Sequence, residues 1–181
     1  MKTGRFITTN GPGILVIAAA IISLYFIQLQ NYLLFHSIAE IFSIVIAFCI
    51  FVIAWNGRRY LENSYLLFIG IAYFFIGSID LLHTLGYKGM NIFTGYDYYA
   101  NQLWIAGRGI EAFSLLIGLS IAGRNIKVSL IKVTAAYAII TGLFIYSIFF
   151  SDIFPECFIE GEGQTAFQVI AEHFINLILF M

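Results

Sequence analysis

An all-α, polytopic transmembrane helix bundle of about six spans is the fold class this sequence predicts, and three observations carry it. Of its 181 residues, 61% are hydrophobic and only 10% are charged, whereas soluble domains carry about 25% charged residues. The apolar residues fall into runs of about 20, the length that crosses a hydrocarbon core of roughly 30 Å. The basic residues between those runs gather on one side of the implied map, as they do in cytoplasmic loops. Net charge is −1 and no basic run occurs, which argues against nucleic acid as a partner. The length suits one compact membrane domain.

Residues 1–11 read as a cytoplasmic N-terminal segment and 12–181 as the membrane domain. The first run, 12–30, follows Lys2 and Arg5 in the basic-then-apolar order of a signal peptide. The following QLQNYLLF has no small-residue cleavage pattern, so the run reads as an uncleaved span. A second span at 36–55 stops at NGRRYLENS, and a third at 65–85 stops at GYKGMNIFTGYDYY. A fourth at 100–122 stops at AGRN, and a fifth at 127–150 gives way to SDIFPECFIEGEGQ, the most polar stretch. A sixth run, 165–181, ends at Met181 without a basic flank. It reads as an incomplete last span of something longer, whose continuation would enter the cytoplasm.

Lys2, Arg5, Arg58, Arg59, Arg124 and Lys127 share one side, with Lys132 just inside the adjoining helix. The other side holds Lys88 with Asp97, Asp152, Glu156, Glu160 and Glu162. The N-terminus is therefore expected inside and the longer loops outside. Cys49 and Cys157 read as a buried small apolar residue and a loop thiol, not as a disulfide or a metal clasp.

A charge inside a span costs about 2.5–3.5 kcal/mol at the helix centre, so such residues are rare and face the bundle interior. Here they share a depth. His36 and Glu40 open the second span, with Ser43 on the same stripe. Asp80 and His83 close the third, continued inward by Tyr73 and Gly77. Trp104, Arg108 and Glu111 lie early in the fourth, and Gln168, Glu172 and Asn176 line the sixth beside His173. Residues three and four apart share a helix face, so these stripes are expected to meet in one polar pocket in the outer half of the bilayer. Each has a plainer explanation: His36 at an interface, Asp80 and His83 closing their own helix, Arg108–Glu111 as an ion pair that specifies packing, Trp104 in the aromatic belt. Their shared depth on four helices favours a common site. Ser114, Gly118 and Ala122 repeat small residues at every fourth position, a helix-packing signal.

Several chemistries suit the cluster. His36, Glu40, Asp80 and His83 offer imidazole and carboxylate ligands to a metal ion. The histidines could instead hold a haem axially, Arg108 could fix a carboxylate of an organic ligand, or a histidine beside an acid could make the site proton-linked. The sequence has no HExxH, Walker loop, nucleophile elbow or CxxC, so hydrolytic, nucleotide and thiol-redox chemistry lack support.

The ordered blocks FHSIAEIFSIVIAF, DLLHTLGYKGM and NQLWIAGRGIEAF resemble the third class of bacterial membrane-associated sensor domains. The resemblance covers the chain from about residue 12 onward. It implies an input module of the bacterial inner membrane that stands ahead of histidine kinases and diguanylate cyclases in signal transduction. It puts weight on His36, Glu40, Asp80, His83, Tyr87, Lys88, Gly89, Met90, Trp104, Arg108 and Glu111, with Tyr87, Lys88 and Met90 as an outer lid. No output domain follows the match, so the chain by itself is expected to be non-enzymatic and to serve a cytoplasmic kinase or cyclase in cis or trans, as a homodimer. A membrane metal or haem redox protein and a transporter fragment are the rival readings.

Overall fold

The computed structural model describes residues 2–60, 64–93, 95–124 and 126–181, with side chains from Pro12 onward. Lys2 and Arg5, on which part of the orientation argument rests, thus lie outside the described side chains. Six helices follow in order: α1 (Lys2–Gln30), α2 (Tyr32–Gly57), α3 (Ser64–Leu85), α4 (Tyr99–Arg124), α5 (Leu130–Phe149) and α6 (Ala166–Leu179). The only sheet among the described residues is a short antiparallel hairpin of β1 (Phe158–Ile159) and β2 (Gly163–Gln164). Gly161 in its turn and Gly163 at the start of β2 have φ +86° and +94°, values that cost glycine little.

Five of the six helices are long and apolar enough to cross a membrane. The sixth is not: the 14 residues of α6 rise about 21 Å at 1.5 Å each, short of the roughly 30 Å of hydrocarbon. The hairpin ends at Gln164, and Thr165 opens the apolar run as the residue before the helix. Thr165 caps α6, its side chain accepting from the Gln168 N–H at 3.3 Å, which fixes where the helix begins.

The chain divides into two units, Met1–Ala39 and Glu40–Met181. The first comprises α1 and the opening turns of α2. Its apolar side chains, such as Leu15, Val16 and Phe26, are exposed. In a membrane such a surface faces lipid.

The second unit is built on α3 and α4, whose inner faces supply most of the buried core: Ile71, Ala72, Ile76 and Ile79 from one, Leu103, Ala106 and Ile110 from the other. Tyr137 and Ile148 of α5 complete that core. Small residues set how closely α2 approaches α3. A Cβ added at Gly70 would lie 2.3 Å from the Ala54 Cβ, and one at Gly77 3.1 Å from the Ala47 Cβ. The two pairs are seven residues apart on both helices, so small residues recur where the helices touch and permit backbone approach. Apolar side chains on the outside, including Phe42, Ile53, Ile131 and Leu143, are exposed.

Of the two cysteines, Cys157 lies in a loop as expected, while Cys49 is not buried. Cys49, in the middle of α2, is exposed on the lipid side, and Cys157, in a loop, is fully buried. Cys49 falls off the α3-facing stripe of α2, while Cys157 joins Ile105, Ala112 and Ile175 in a second small core where the loop folds over α4 and α6. Burial pushes the Cys157 thiol up to about 12, with Glu172 adding to the rise.

Candidate functional site

Arg108 organises the polar residues of the second unit. From the third turn of α4, its Nη2 donates to both carboxylate oxygens of Asp80 on α3, at 2.7 and 2.6 Å. Its Nη1 donates to Glu111, three residues on along α4, and the Tyr73 hydroxyl donates to the other Glu111 oxygen at 3.0 Å. A guanidinium that bridges two carboxylates on two helices holds them in register, since its fork of donors is planar and rigid. Asp80 is nearly buried, with 9% of its side chain exposed, and Arg108 retains 24%. Gly107 makes the approach possible: a Cβ there would sit 3.3 Å from Asp80 Oδ1 and as close to Ile79.

One turn beyond Asp80, His83 is buried with its Nδ1 2.8 Å from the Ala100 carbonyl. A carbonyl only accepts, so Nδ1 carries a proton, and in the neutral ring Nε2 keeps its lone pair. The Glu40 carboxylate and a His83 ring nitrogen lie within 4.8 Å of each other, and Glu40 also feels the charges of Asp80 and Arg108.

Between α2, α3 and α4 these groups face a cavity of about 300 Å³. Glu40 and Ser43 come from α2, Tyr73 and Asp80 from α3, and Trp104, Arg108 and Glu111 from α4, with Ile46, Ala47 and Ile76 as apolar floor. Seven residues singled out in the sequence therefore meet here: Glu40, Ser43, Tyr73, Asp80, Trp104, Arg108 and Glu111.

His36 belongs to the first unit, its ring stacked on Tyr32 at 6.2 Å. Tyr87 packs edge-on against His83, with centroids 6.3 Å apart. Lys88 is exposed and ties the loop after α3 to the hairpin, donating to the Tyr98 hydroxyl and to Glu160 at 3.0 Å each and pairing with Asp97 at 3.5 Å. The bonds to Tyr98 and Glu160 raise its pKa above the ordinary lysine value. Met90 closes the turn after α3, its N–H donating to the Tyr87 carbonyl. Neither Lys88 nor Met90 lines the cavity.

The polar stripe of α6 does not join the site. Glu172 accepts from Gln168 and Gln164 at 2.8 and 3.2 Å, His173 is exposed and bonds the Val169 carbonyl, and Asn176 is exposed. Glu172 and His173 thus find their partners on α6 and its hairpin, and the Gln168 side-chain carbonyl oxygen accepts from Asn101 of α4 at 3.4 Å. The small-residue stripe of α4 meets two neighbours. A Cβ at Gly118 would come 2.9 Å from Ile69 of α3, while the Ser114 hydroxyl lies 2.6 Å from that of Tyr137 on α5; Ala122 is half-buried.

Sequence reasoning missed Gln102, buried on α4, whose Nε2 donates to the Phe154 and Pro155 carbonyls at 3.1 Å each and so anchors the loop after α5. An amide inside an apolar run was the available signal.

The chemistry of the cavity follows from its charges. Glu40, Asp80 and Glu111 bring carboxylates and Arg108 the single guanidinium. Both terminal nitrogens of that guanidinium are engaged by the chain's own acids, so little of its charge is left for an anion. The site suits a cation or a hydrogen-bond donor. Asp80 is engaged by Arg108, and within this unit Glu40 and His83 offer a metal ion two donors within 4.8 Å of each other.

Comparison with curated proteins finds no match, and neither does comparison with solved structures. One family does match, over residues 27–181, a stretch that takes in α2 to α6 and every residue of the Arg108 cavity. With its apolar helices and buried polar cluster, the chain belongs to the membrane-associated sensor domain family MASE3 and is a multi-pass membrane protein with a sensory input role.

Proposed function

We propose that the Arg108 cavity receives the stimulus, and that the stimulus is a small cation or hydrogen-bond donor entering the outer half of the bilayer. The observation that carries this reading is the Arg108 bridge, which commits the only guanidinium of the cavity to Asp80 and Glu111 and leaves Glu40 as surplus acid beside Trp104. An indole face and a carboxylate are the pair that recognises an ammonium group. Arg108 Nε is buried without a hydrogen-bond partner among the described residues, and a hydroxyl or carbonyl on the ligand would satisfy it.

The cavity touches three helices, so occupancy bears on their arrangement. A ligand shifts such an equilibrium only by its unequal affinity for the two states. In this reading the shift passes to a histidine kinase or diguanylate cyclase output domain on the cytoplasmic side of the bacterial inner membrane, within a homodimer. The distribution of Arg58, Arg59, Arg124 and Lys127 supports that orientation.

The test is a chimera joining residues 1–181 to a diguanylate cyclase catalytic domain, with cyclic dinucleotide measured in cells. Arg108→Met and Glu40→Gln are expected to shift output severalfold at equal protein abundance. Output unchanged in both variants would contradict the proposal.

One observation favours a second reading. Metal-ligating histidines commonly donate their other ring N–H to a carbonyl, as His83 does to Ala100. Metal analysis and an absorption spectrum of purified protein, with His83→Ala alongside, decide it: stoichiometric metal or a haem band lost in the variant would select that reading, and a colourless, metal-free protein the organic cation.

A further inference from the structure

On the other side of α4 from the Arg108 cavity, a groove of about 650 Å³ runs between α4, α5 and α6. Its walls are apolar over nearly their whole length, formed by Phe113 and Ile117 of α4, Ile140 and Phe144 of α5, and Ala171 and Phe174 of α6. Two hydroxyls reach it, on Ser114 and Tyr137, but they bond each other at 2.6 Å and offer a ligand little. The one charged side chain in the lining is Lys132, exposed on the first turn of α5. No ion pair among the described residues uses it.

The dimensions match one leaflet. Along α5 the lining runs from Lys132 to Phe144, about 18 Å at 1.5 Å per residue, against roughly 15 Å for half of a 30 Å hydrocarbon core. An apolar slot of that depth, with a lone cation at one end, has the shape and charge of a phospholipid site.

We infer that this groove binds one anionic phospholipid, an acyl chain lying between α4, α5 and α6 and the headgroup phosphate paired with Lys132. A second copy docked groove to groove would meet the same apolar walls but would bring Lys132 no counter-charge, since the groove carries no acid.

Two substitutions separate the parts of the site. Lys132→Gln removes the charge. Gly109→Leu fills the slot from α4, where an added Cβ meets nothing within 4 Å, and Ala136→Leu fills it from the α5 side. Purified protein is reconstituted with equal phosphatidylglycerol and phosphatidylcholine, and retained lipid is counted by native mass spectrometry, with circular dichroism to check the helices. The expected result is one phosphatidylglycerol per chain. Its occupancy should fall about fivefold in Lys132→Gln, the factor one lysine contributes near an anionic surface, and be lost in both filled variants. Equal retention of the two lipids, or undiminished phosphatidylglycerol in a folded Gly109→Leu or Ala136→Leu protein, would overturn the proposal. So would a change of oligomeric mass in place of lipid loss, which would assign the groove to a second copy.

Discussion

Arg108 and Asp80 face each other across the α3–α4 interface with one guanidinium nitrogen within 2.7 Å of both carboxylate oxygens. Such a pair is weak grounds for net stability, since removing two charges from water offsets most of their attraction. Its loss on one side is costly. Arg108→Met leaves Asp80 and Glu111 without their cation and is expected to destabilise the domain by about 3–5 kcal/mol. Asp80→Asn should cost less because Glu111 still holds the guanidinium. The double variant should recover part of the Arg108→Met loss, giving a coupling energy in a double-mutant cycle of thermal unfolding in detergent. Strict additivity would mean the two side chains do not act as a pair.

Tyr73→Phe removes a hydroxyl that donates to Glu111 at 3.0 Å while keeping the ring in place. A hydrogen bond to a charged group is worth about 1.5–3 kcal/mol, and because the site is only partly buried the lower end is expected. The same unfolding assay reads it. An unchanged midpoint would show that water replaces the hydroxyl freely.

Gly70→Ala places a methyl 2.3 Å from the Ala54 Cβ, which α2 can accept only by moving away from α3. The variant should lower the unfolding midpoint, and Ala54→Gly on the same chain should restore most of it. Failure of that rescue would remove the argument that this pair sets the helix separation.

The Cys157 thiol titrates near 12 in the fold, against an ordinary value of 9.0. Between those limits the unfolded chain loses the proton and the folded one keeps it, so stability attributable to this group falls as pH rises from about 9 towards 12. Cys157→Ala should flatten that alkaline decline. Thiol alkylation at pH 8 to 9 should reach Cys157 only after unfolding, as the side chain is fully buried. Prompt modification in the folded protein would contradict the burial.

The polar cavity was legible in the sequence because charges are costly inside a span. Asp80, Arg108 and Glu111 could be afforded only if they met, and spacings of three and four assign them to helix faces. The family match, from residue 27 onward, agrees with the resemblance carried by the same blocks. What could not be read was anything that depends on register between helices. Gly70 against Ala54 and Gly107 against Asp80 are pairings of residues with no signature of their own. Cys49 is exposed and the loop residue Cys157 buried because depth in sequence says nothing of which face meets a neighbour or which loop folds inward. Hydrophobicity was also blind to the difference between a spanning helix and the short α6, since the cap Thr165, the helix and the last two residues share one apolar run.

Trp104 offers the most direct reading of the cavity. With Trp55→Phe it becomes the only tryptophan of the chain, and its ring lines the cavity beside Glu40 and Arg108. Titrating reconstituted Trp55→Phe protein with ethylammonium should give a saturable change in fluorescence that acetate does not produce and that Glu40→Gln abolishes. Saturation by acetate without a response to ethylammonium would show that Arg108 is available to anions and that the surplus acid does not select the ligand.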